Sequence, residues 1–441
     1  MNLTSSARKI GRRNFLKAAG GASAVAALGT TALVRGPKRG GPVRAALIGY
    51  GRQGRLLHSC VDAGAVSIVA ISDIQPRTSI AADVDAGIAW YQDWRRMLQQ
   101  EQLEAVIIAT PLWTHAEIAI ACLEARRHVL CETAMAMDTG ECRRMIEASE
   151  RNKRLLVIGY QHLFHSVYRS AYQNIVKEGL LGGVYSIEAA WHSYTSGRLQ
   201  AGPGTPPFDP RPWGYASVDD LLNWRLFQRY SNGLVSERGS GLISLTNWYL
   251  DALPTAVQAH GGIYSYNDGR DVDDHVFATL DYPNGRTVTL SLIQSNGFER
   301  SYTQFMGTKG TLIIGDDEAL LFTEDKGSPT KVEAAKLRGG QTVLDASASR
   351  SEEATSHSSL TQAGNSGDGT EAYRQEVSAF CGSIRTGARL PESAEHALEV
   401  ARTCAAVGES MRLGRKVTLD ATERTAQLPP RPTAGNWSQY A

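Results

Sequence analysis

Hydrophobic positions in the first third of the chain fall in short solid runs. Ala45-Ala46-Leu47-Ile48, Val66–Ile71, Glu104–Ala109, His128–Cys131 and Leu155–Ile158 each have the pattern of a strand buried on both faces. Apolar residues at helical spacing separate them. Leu56, Leu57, Cys60 and Val61 follow the first run, Thr114–Ala125 carries an apolar stripe, and Asp138 stands where a cap for Thr139–Arg151 belongs. Trp90–Gln100 reads as a loop and a short helix. This alternation predicts a doubly wound parallel sheet over residues 41–160.

Past residue 160 the rhythm changes to period two. One helix, Tyr168–Glu178, stops at Gly179, and alternating strands come after it: Val184–His192, Ala256–Gly262, Val276–Tyr282, Thr287–Gln294, Tyr302–Gly307 and Thr311–Gly315. Pro283-Asn284-Gly285 has the composition of a hairpin turn. Residues 325–369 show no apolar rhythm and read as a flexible surface insertion, and helices at Glu371–Thr386 and Ser393–Leu413 close the fold. The fold class is therefore α/β. A second α/β domain over 161–420 carries a large, mostly antiparallel open sheet with one face on helices, and 421–441 is a tail.

Chemistry enters at the first strand. After Ala45–Ile48, Gly49, Gly51 and Gly54 fall at G-x-G-x-x-G spacing around Arg52 and Gln53, and the second run ends at Asp73. Glycines allow a tight turn and close approach to a pyrophosphate, and the helix N-terminus offers amide hydrogens. The acid about twenty residues on accepts from a ribose hydroxyl. The frame predicts a nicotinamide dinucleotide, NAD or NADP. Asp73 favours NAD by repelling a 2′-phosphate, whereas Arg77 stands where it would neutralise one.

Composition adds two limits. The 441 residues suffice for two domains, and 42% hydrophobic content is ordinary for a globular core. The net charge of +1 conceals six cations and no acid in residues 1–35, which leaves the remainder at −5. A mildly acidic body without a basic tract argues against nucleic acid as a partner. Within the first forty residues, Gly11-Arg12-Arg13-Asn14-Phe15-Leu16-Lys17 precedes a weakly apolar Ala/Gly stretch. This resembles a twin-arginine signal for export of folded proteins to the periplasm, with no membrane span in the mature form. Residues 1–40 are set apart as signal and linker. Six cysteines show no pairing motif and read as buried hydrophobes, with no disulfide and no metal site expected.

Several blocks in order resemble the Gfo/Idh/MocA oxidoreductases. They are Gly49–Gly54, Ala109-Thr110-Pro111 with His115, His128-Val129-Leu130-Cys131-Glu132, Gly159-Tyr160-Gln161, Asn223-Trp224-Arg225-Leu226, Ser231–Glu237, Phe305-Met306-Gly307-Thr308 with Gly310-Thr311, and Ile384-Arg385-Thr386-Gly387. The resemblance implies NAD(P)-dependent hydride transfer on sugars or cyclitols. It also implies a substrate domain whose open sheet often builds a homo-oligomer, and a cofactor edge including Thr110, Pro111, His115 and Glu132.

The chain departs from that family where the chemistry lies. The family's usual Glu-Lys-Pro is Glu132-Thr133-Ala134, and its Gly-x-His-x-x-Asp is Gly239-Ser240-Gly241-Leu242-Ile243-Ser244. A frequent arginine is Leu163. Threonine supplies a hydrogen bond but no charge for a developing alkoxide. His162 and His165 flank Leu163 and are the candidates for the proton role, since imidazole titrates near neutral pH. Tyr160 and Cys131 are weaker candidates, and Trp213 and Trp224 are candidates for stacking on sugar rings. Three readings stay open: an exported oxidoreductase on a carbohydrate with tightly bound cofactor, a glycoside-cleaving enzyme that oxidises and returns a hydride, and a pseudoenzyme that keeps the fold.

Overall fold

The computed structural model describes residues 41–419 except 82–83, 196, 201–207, 299, 316–318, 324–328, 332, 337–341 and 346–369. The expected signal at 1–40, most of the insertion and the tail lie outside the described residues. The first sheet has six strands: β1 (Val43–Ile48), β2 (Val66–Ser72), β3 (Ala89–Tyr91), β4 (Ala105–Ile108), β5 (His128–Glu132) and β6 (Leu156–Gly159). Its order is β3-β2-β1-β4-β5-β6 and every pairing is parallel. All four residues of β4 and of β6 are buried, as solid apolar runs demand of strands covered by helices on both faces. Strand β3 overlaps the start of Trp90–Gln100, which was expected to be a loop and a short helix. Three residues are too few for a periodic signal, and pairing with β2 decides their state.

The second sheet begins with β7 (Val184–His192), β8 (Ala256–Gly262), β9 (His275–Asp281), β10 (Thr287–Ile293), β11 (Ser301–Gly307), β12 (Gly310–Gly315) and β13 (Ala319–Thr323). Then come β14 (Pro329–Lys331), a separate hairpin of β15 (Glu333–Lys336) and β16 (Thr342–Asp345), and β17 (Val417–Thr418). The nine-stranded order is β14-β13-β12-β11-β7-β10-β9-β8-β17, antiparallel throughout except for β10 beside β7. Asn284 and Gly285 make the β9–β10 turn with φ of 63° and 72°. Strands β14 to β16 lie within 325–369, the stretch read as a flexible insertion; their pairing uses backbone groups and needs no apolar alternation.

Helices pack against both sheets. Ser240–Leu250 is buried along its length, preceded by a π-helical turn at Val235–Gly239. Helices Glu371–Thr386 and Ala394–Leu413 reach back to the first domain, and one apolar core runs through both domains. The helix expected over 168–178 instead divides into Ser166–Ala171 and a π turn, Tyr172–Val176. All six cysteines are buried and in no disulfide, and burial holds the Cys131 thiol well above its ordinary range.

Candidate functional site

The glycine turn is tight enough to admit nothing larger. A Cβ at Gly54 would lie 1.9 Å from the Gly49 carbonyl oxygen, and one at Gly49, whose φ is +91°, 2.6 Å from that of Ala109. A Cβ at Gly51 would meet nothing within 4 Å, which leaves open space in front of the helix that starts at Arg52. Asp73 stands at the end of β2, accepting from the Tyr50 N–H at 2.8 Å and the Gln75 N–H at 2.9 Å. Burial raises its pKa, and the two backbone bonds oppose the rise. An open helix N-terminus, two glycines at contact distance and an acid on the next strand together fit a dinucleotide pyrophosphate and ribose.

Six expected cofactor residues are held by contacts within the protein. The Arg77 guanidinium donates to the carbonyls of Ile88 at 3.1 Å, Val84 at 2.5 Å and Asp85 at 2.8 Å, so it is committed to its own loop. His115 is buried, with Nδ1 2.9 Å from the Ala134 carbonyl and Nε2 2.9 Å from that of Thr110. It ties two loops together instead of facing a ligand, and burial lowers its pKa. Pro111 opens the short turn Leu112–Thr114, and the Thr110 hydroxyl accepts from Thr114 at 2.7 Å. Gln53 donates to Glu132 at 2.7 Å. Burial lifts the Glu132 pKa to about 7 against that bond.

The stretches Glu132-Thr133-Ala134 and Gly239–Ser244 meet at one place. Thr133 Oγ1 lies 2.9 Å from Ser240 Oγ, which itself donates to the Ser236 carbonyl at 2.6 Å. His162 reaches the neighbouring residue: a Cβ at Gly241 would sit 3.1 Å from its Nδ1 and 3.4 Å from its Cε1. The imidazole therefore occupies the space into which a side chain at 241 would project. Its Nδ1 is buried with no partner among the described residues, and burial pulls the pKa down to about 4. Ser244, a turn further along the helix, is fully buried with its hydroxyl likewise unpartnered.

The candidates His165 and Tyr160 have these surroundings. His165 caps the helix Ser166–Ala171, its Nδ1 accepting from the Val167 N–H at 3.2 Å, which fixes the ring in a structural role. Tyr160 is fully buried, and its hydroxyl has no hydrogen-bond partner among the described residues. Trp224 is buried in an aromatic cluster with Tyr215 and Tyr230, and Trp213 packs at its margin.

Two cations near the site carry no mark of their own in the sequence. Arg225 pairs with Glu237 at 3.1 Å and acts electrostatically on Glu132. Arg238 lies over the Trp191 ring at 4.9 Å, and burial lowers its pKa. Both sit in or beside the Asn223–Leu226 and Ser231–Glu237 blocks, whose recurrence was the available signal. Among the described residues no group of three or more His, Cys, Asp or Glu is placed to hold a metal ion, and no helix is long and apolar enough to cross a membrane.

Comparison with known proteins agrees with this geometry. Residues 43–160 match the family model described as the oxidoreductase family, NAD-binding Rossmann fold, and residues 173–419 match its C-terminal alpha/beta domain. Inositol 2-dehydrogenase of Salmonella paratyphi B is 32% identical over 145 residues, 32% of this chain and 43% of that protein. Levoglucosan dehydrogenase of Pseudarthrobacter phenanthrenivorans is 25% identical over 57% of this chain and 64% of its own length. The chain thus spans less than two thirds of either relative. Among solved structures, levoglucosan dehydrogenase in complex with NADH and L-sorbose superposes with a TM-score of 0.66 at 21% identity, covering 86% of this chain and 100% of that one. The aldose-aldose oxidoreductase of Caulobacter crescentus gives 0.62 at 19%, with the same coverage. Two family models cover both domains and the glycine turn has the geometry their description requires: the chain belongs to the Gfo/Idh/MocA oxidoreductase family.

Proposed function

We propose that this protein is an exported NAD-dependent oxidoreductase that acts on a sugar or polyol and keeps its cofactor through turnover. The observation that carries the reading is the pairing of Gly241 with His162. Loss of the expected histidine is matched by another imidazole in the space it vacates. A pseudoenzyme under no demand for a proton acceptor has no reason to make that exchange.

Bound NAD would supply the hydride acceptor. Gly49, Gly51 and Gly54 would admit the pyrophosphate, the amides at Arg52 and Gln53 would bind it, and Asp73 would accept from the ribose hydroxyls. Arg77 is committed to carbonyls of its own loop, and Arg55 donates to those of Tyr50 and Ile80. With both guanidinium groups engaged, neither is held ready for a 2′-phosphate, which supports NAD over NADP. His162 holds the substrate hydroxyl's proton at its imidazole, and Thr133 orients that hydroxyl. Arg225 and Arg238 bring positive charge to the part of the site that lacks the family's lysine. The names of relatives, an inositol and a levoglucosan dehydrogenase, support a cyclic polyhydroxylated substrate. The open sheet presents Phe277, nearly half exposed on β9, which suits a face that pairs with a second copy.

Arg12 and Arg13 support export in a folded, loaded state. Outside the cytoplasm free cofactor is not replenished, so turnover there is redox-neutral over a full cycle, either between two sugars or by oxidising and re-reducing one. The test is mass spectrometry of small molecules released on denaturing protein from the periplasmic fraction. NAD in near one-to-one ratio is expected, together with retention of an Arg12→Lys, Arg13→Lys variant in the cytoplasm. Export without any dinucleotide, or export of the variant, contradicts the reading.

A further inference from the structure

An aromatic cluster, separate from the main core, joins the two domains. The first domain gives it Ile74, Leu112, Trp113 and Ala134, and the second gives it Tyr215, Trp224 and Tyr230. The Trp113 ring centre stands 5.5 Å from that of Tyr215 and 5.7 Å from that of Tyr230, and the two tyrosine rings are 5.2 Å apart. The Trp113 Nε1–H donates to the Tyr215 hydroxyl at 3.3 Å. Gly214, with φ of +88°, lets the indole lie on bare backbone, since a Cβ there would be 2.5 Å from Trp113 Cη2. Two further bonds hold the second-domain stretch in place. The Tyr230 hydroxyl accepts from the Ala216 N–H at 3.3 Å, and the Asn232 side chain donates to the Met137 carbonyl at 2.5 Å. Tyr215 is 3% exposed and Tyr230 5%.

Strand order says what the cluster covers. Ile74 comes just after β2, Leu112 and Trp113 just after β4, and Ala134 just after β5. Strand β1 lies between β2 and β4, so a cluster resting on the chain past both neighbours spans the end of β1, where the glycine turn is. In a doubly wound sheet that crevice, at the carboxyl ends of the strands where their order reverses, receives the dinucleotide. Short links tie the cluster to the residues lining the crevice. Ile74 follows Asp73 in the chain. Thr110 Cγ2 is 3.0 Å from where a Cβ on Gly49 would stand, and Leu112 is two residues beyond Thr110. His115 joins the Thr110 carbonyl to that of Ala134, at 2.9 Å each. The Asp73 carboxylate also acts electrostatically on Tyr215. The rings contributed by the second domain therefore lie across the way to the glycine turn.

We propose that Trp113, Tyr215 and Tyr230 form an aromatic gate between the domains, closed over the dinucleotide site, that must part for NAD to enter or leave. The inference rests on the reading that the protein keeps its cofactor through turnover, and it supplies the means. Retention comes from slow parting of rings that hold one another, and not from added contacts to the cofactor. The three ring contacts, the bond from the indole N–H and the packing of Gly214 on the indole are given up together, so the gate opens as a unit. A gate whose contacts are protein to protein slows entry and exit alike. A wall that touches the cofactor slows exit alone and shows in the affinity.

Stopped-flow fluorescence of NADH on the full-length protein reads both directions. Entry is the change on mixing protein with NADH, and exit the change on mixing NADH-loaded protein with excess NAD. Gly214→Ala wedges a methyl against Trp113 and leaves every ring in the chain, whereas Tyr215→Ala removes one ring and its bond. In each, entry and exit should both quicken by about tenfold or more, as loss of an aromatic pair with its hydrogen bond predicts, and affinity should stay within about threefold of the parent's. Tyr215→Phe keeps the ring and loses only the bond from Trp113, so it decides the matter should the other two fail to fold. It should quicken both directions by roughly two- to fivefold. Rates equal to the parent's in the folded variants overturn the gate and leave the cofactor reading standing. Faster exit with unchanged entry overturns it too, and makes Tyr215 a wall of the site. A parent that takes up neither NADH nor NAD overturns the cofactor reading and the gate with it.

Discussion

The two walls of the cleft treat their polar groups in opposite ways. On the cofactor wall, Asp73 accepts from two backbone amides, Glu132 from Gln53, and both nitrogens of His115 meet carbonyls. On the opposite wall and the floor, His162 Nδ1, Ser244 Oγ, Tyr160 OH and the carboxyls of Glu376 and Glu392 are buried without partners among the described residues. A satisfied wall is rigid and presents one fixed surface, as recognition of a constant ligand requires. Unsatisfied buried groups each cost about 1–3 kcal/mol, a cost a fold retains where protons or a variable ligand are to be handled.

Breaking the satisfied wall should have the largest effect. Gly54→Ala places a methyl 1.9 Å from the Gly49 carbonyl oxygen, which no side-chain adjustment relieves. Calorimetry should detect no NAD binding and the melting temperature should fall. Asp73→Ala removes the ribose acceptor and leaves the amides of Tyr50 and Gln75 without that carboxylate. NAD affinity should drop several-fold or more, roughly 1 kcal/mol or above, and unchanged affinity would show that Asp73 is not the ribose contact.

The smallest effect sharpens the comparison at the seam between the walls. Glu132 titrates at about 7 in the fold against an ordinary 4.5. A carboxyl raised in this way favours the folded state below its unfolded value, and that contribution is lost as pH rises through the folded one. Native stability should therefore fall between about pH 4.5 and about pH 7, by on the order of 3 kcal/mol from this group. Glu132→Gln should flatten that part of the profile in denaturant titrations. A parent whose stability is level over this range would contradict the assignment.

Much of the satisfied wall was legible in the sequence because its causes are local. A strand, three spaced glycines and an acid succeed each other along about thirty residues, and solid apolar runs announce a parallel sheet. Arg77 was misplaced because its carbonyl partners depend on a loop conformation that no periodicity records. The floor was not legible. Glu376 on a helix and Glu392 just before one look like surface acids, and only the docking of those helices against β5 and β6 buries them. The place of His162 was half legible: its position after β6 was suggestive, but the space beside Gly241 exists only once the helix Ser240–Leu250 packs there. His165, equally suggestive by position, went to a helix cap.

The substitution of one imidazole for another is tested most directly by single-turnover reduction of bound cofactor across a panel of sugars and cyclitols. The parent should reduce its cofactor with at least one of them. His162→Ala should retain fold and cofactor and lose rate by about a hundredfold or more, as expected for removal of a positioned base, roughly 3 kcal/mol of barrier. His165→Ala should keep the parent's rate and lose about 1 kcal/mol of stability with its cap. A His162→Ala variant as fast as an active parent would contradict the account.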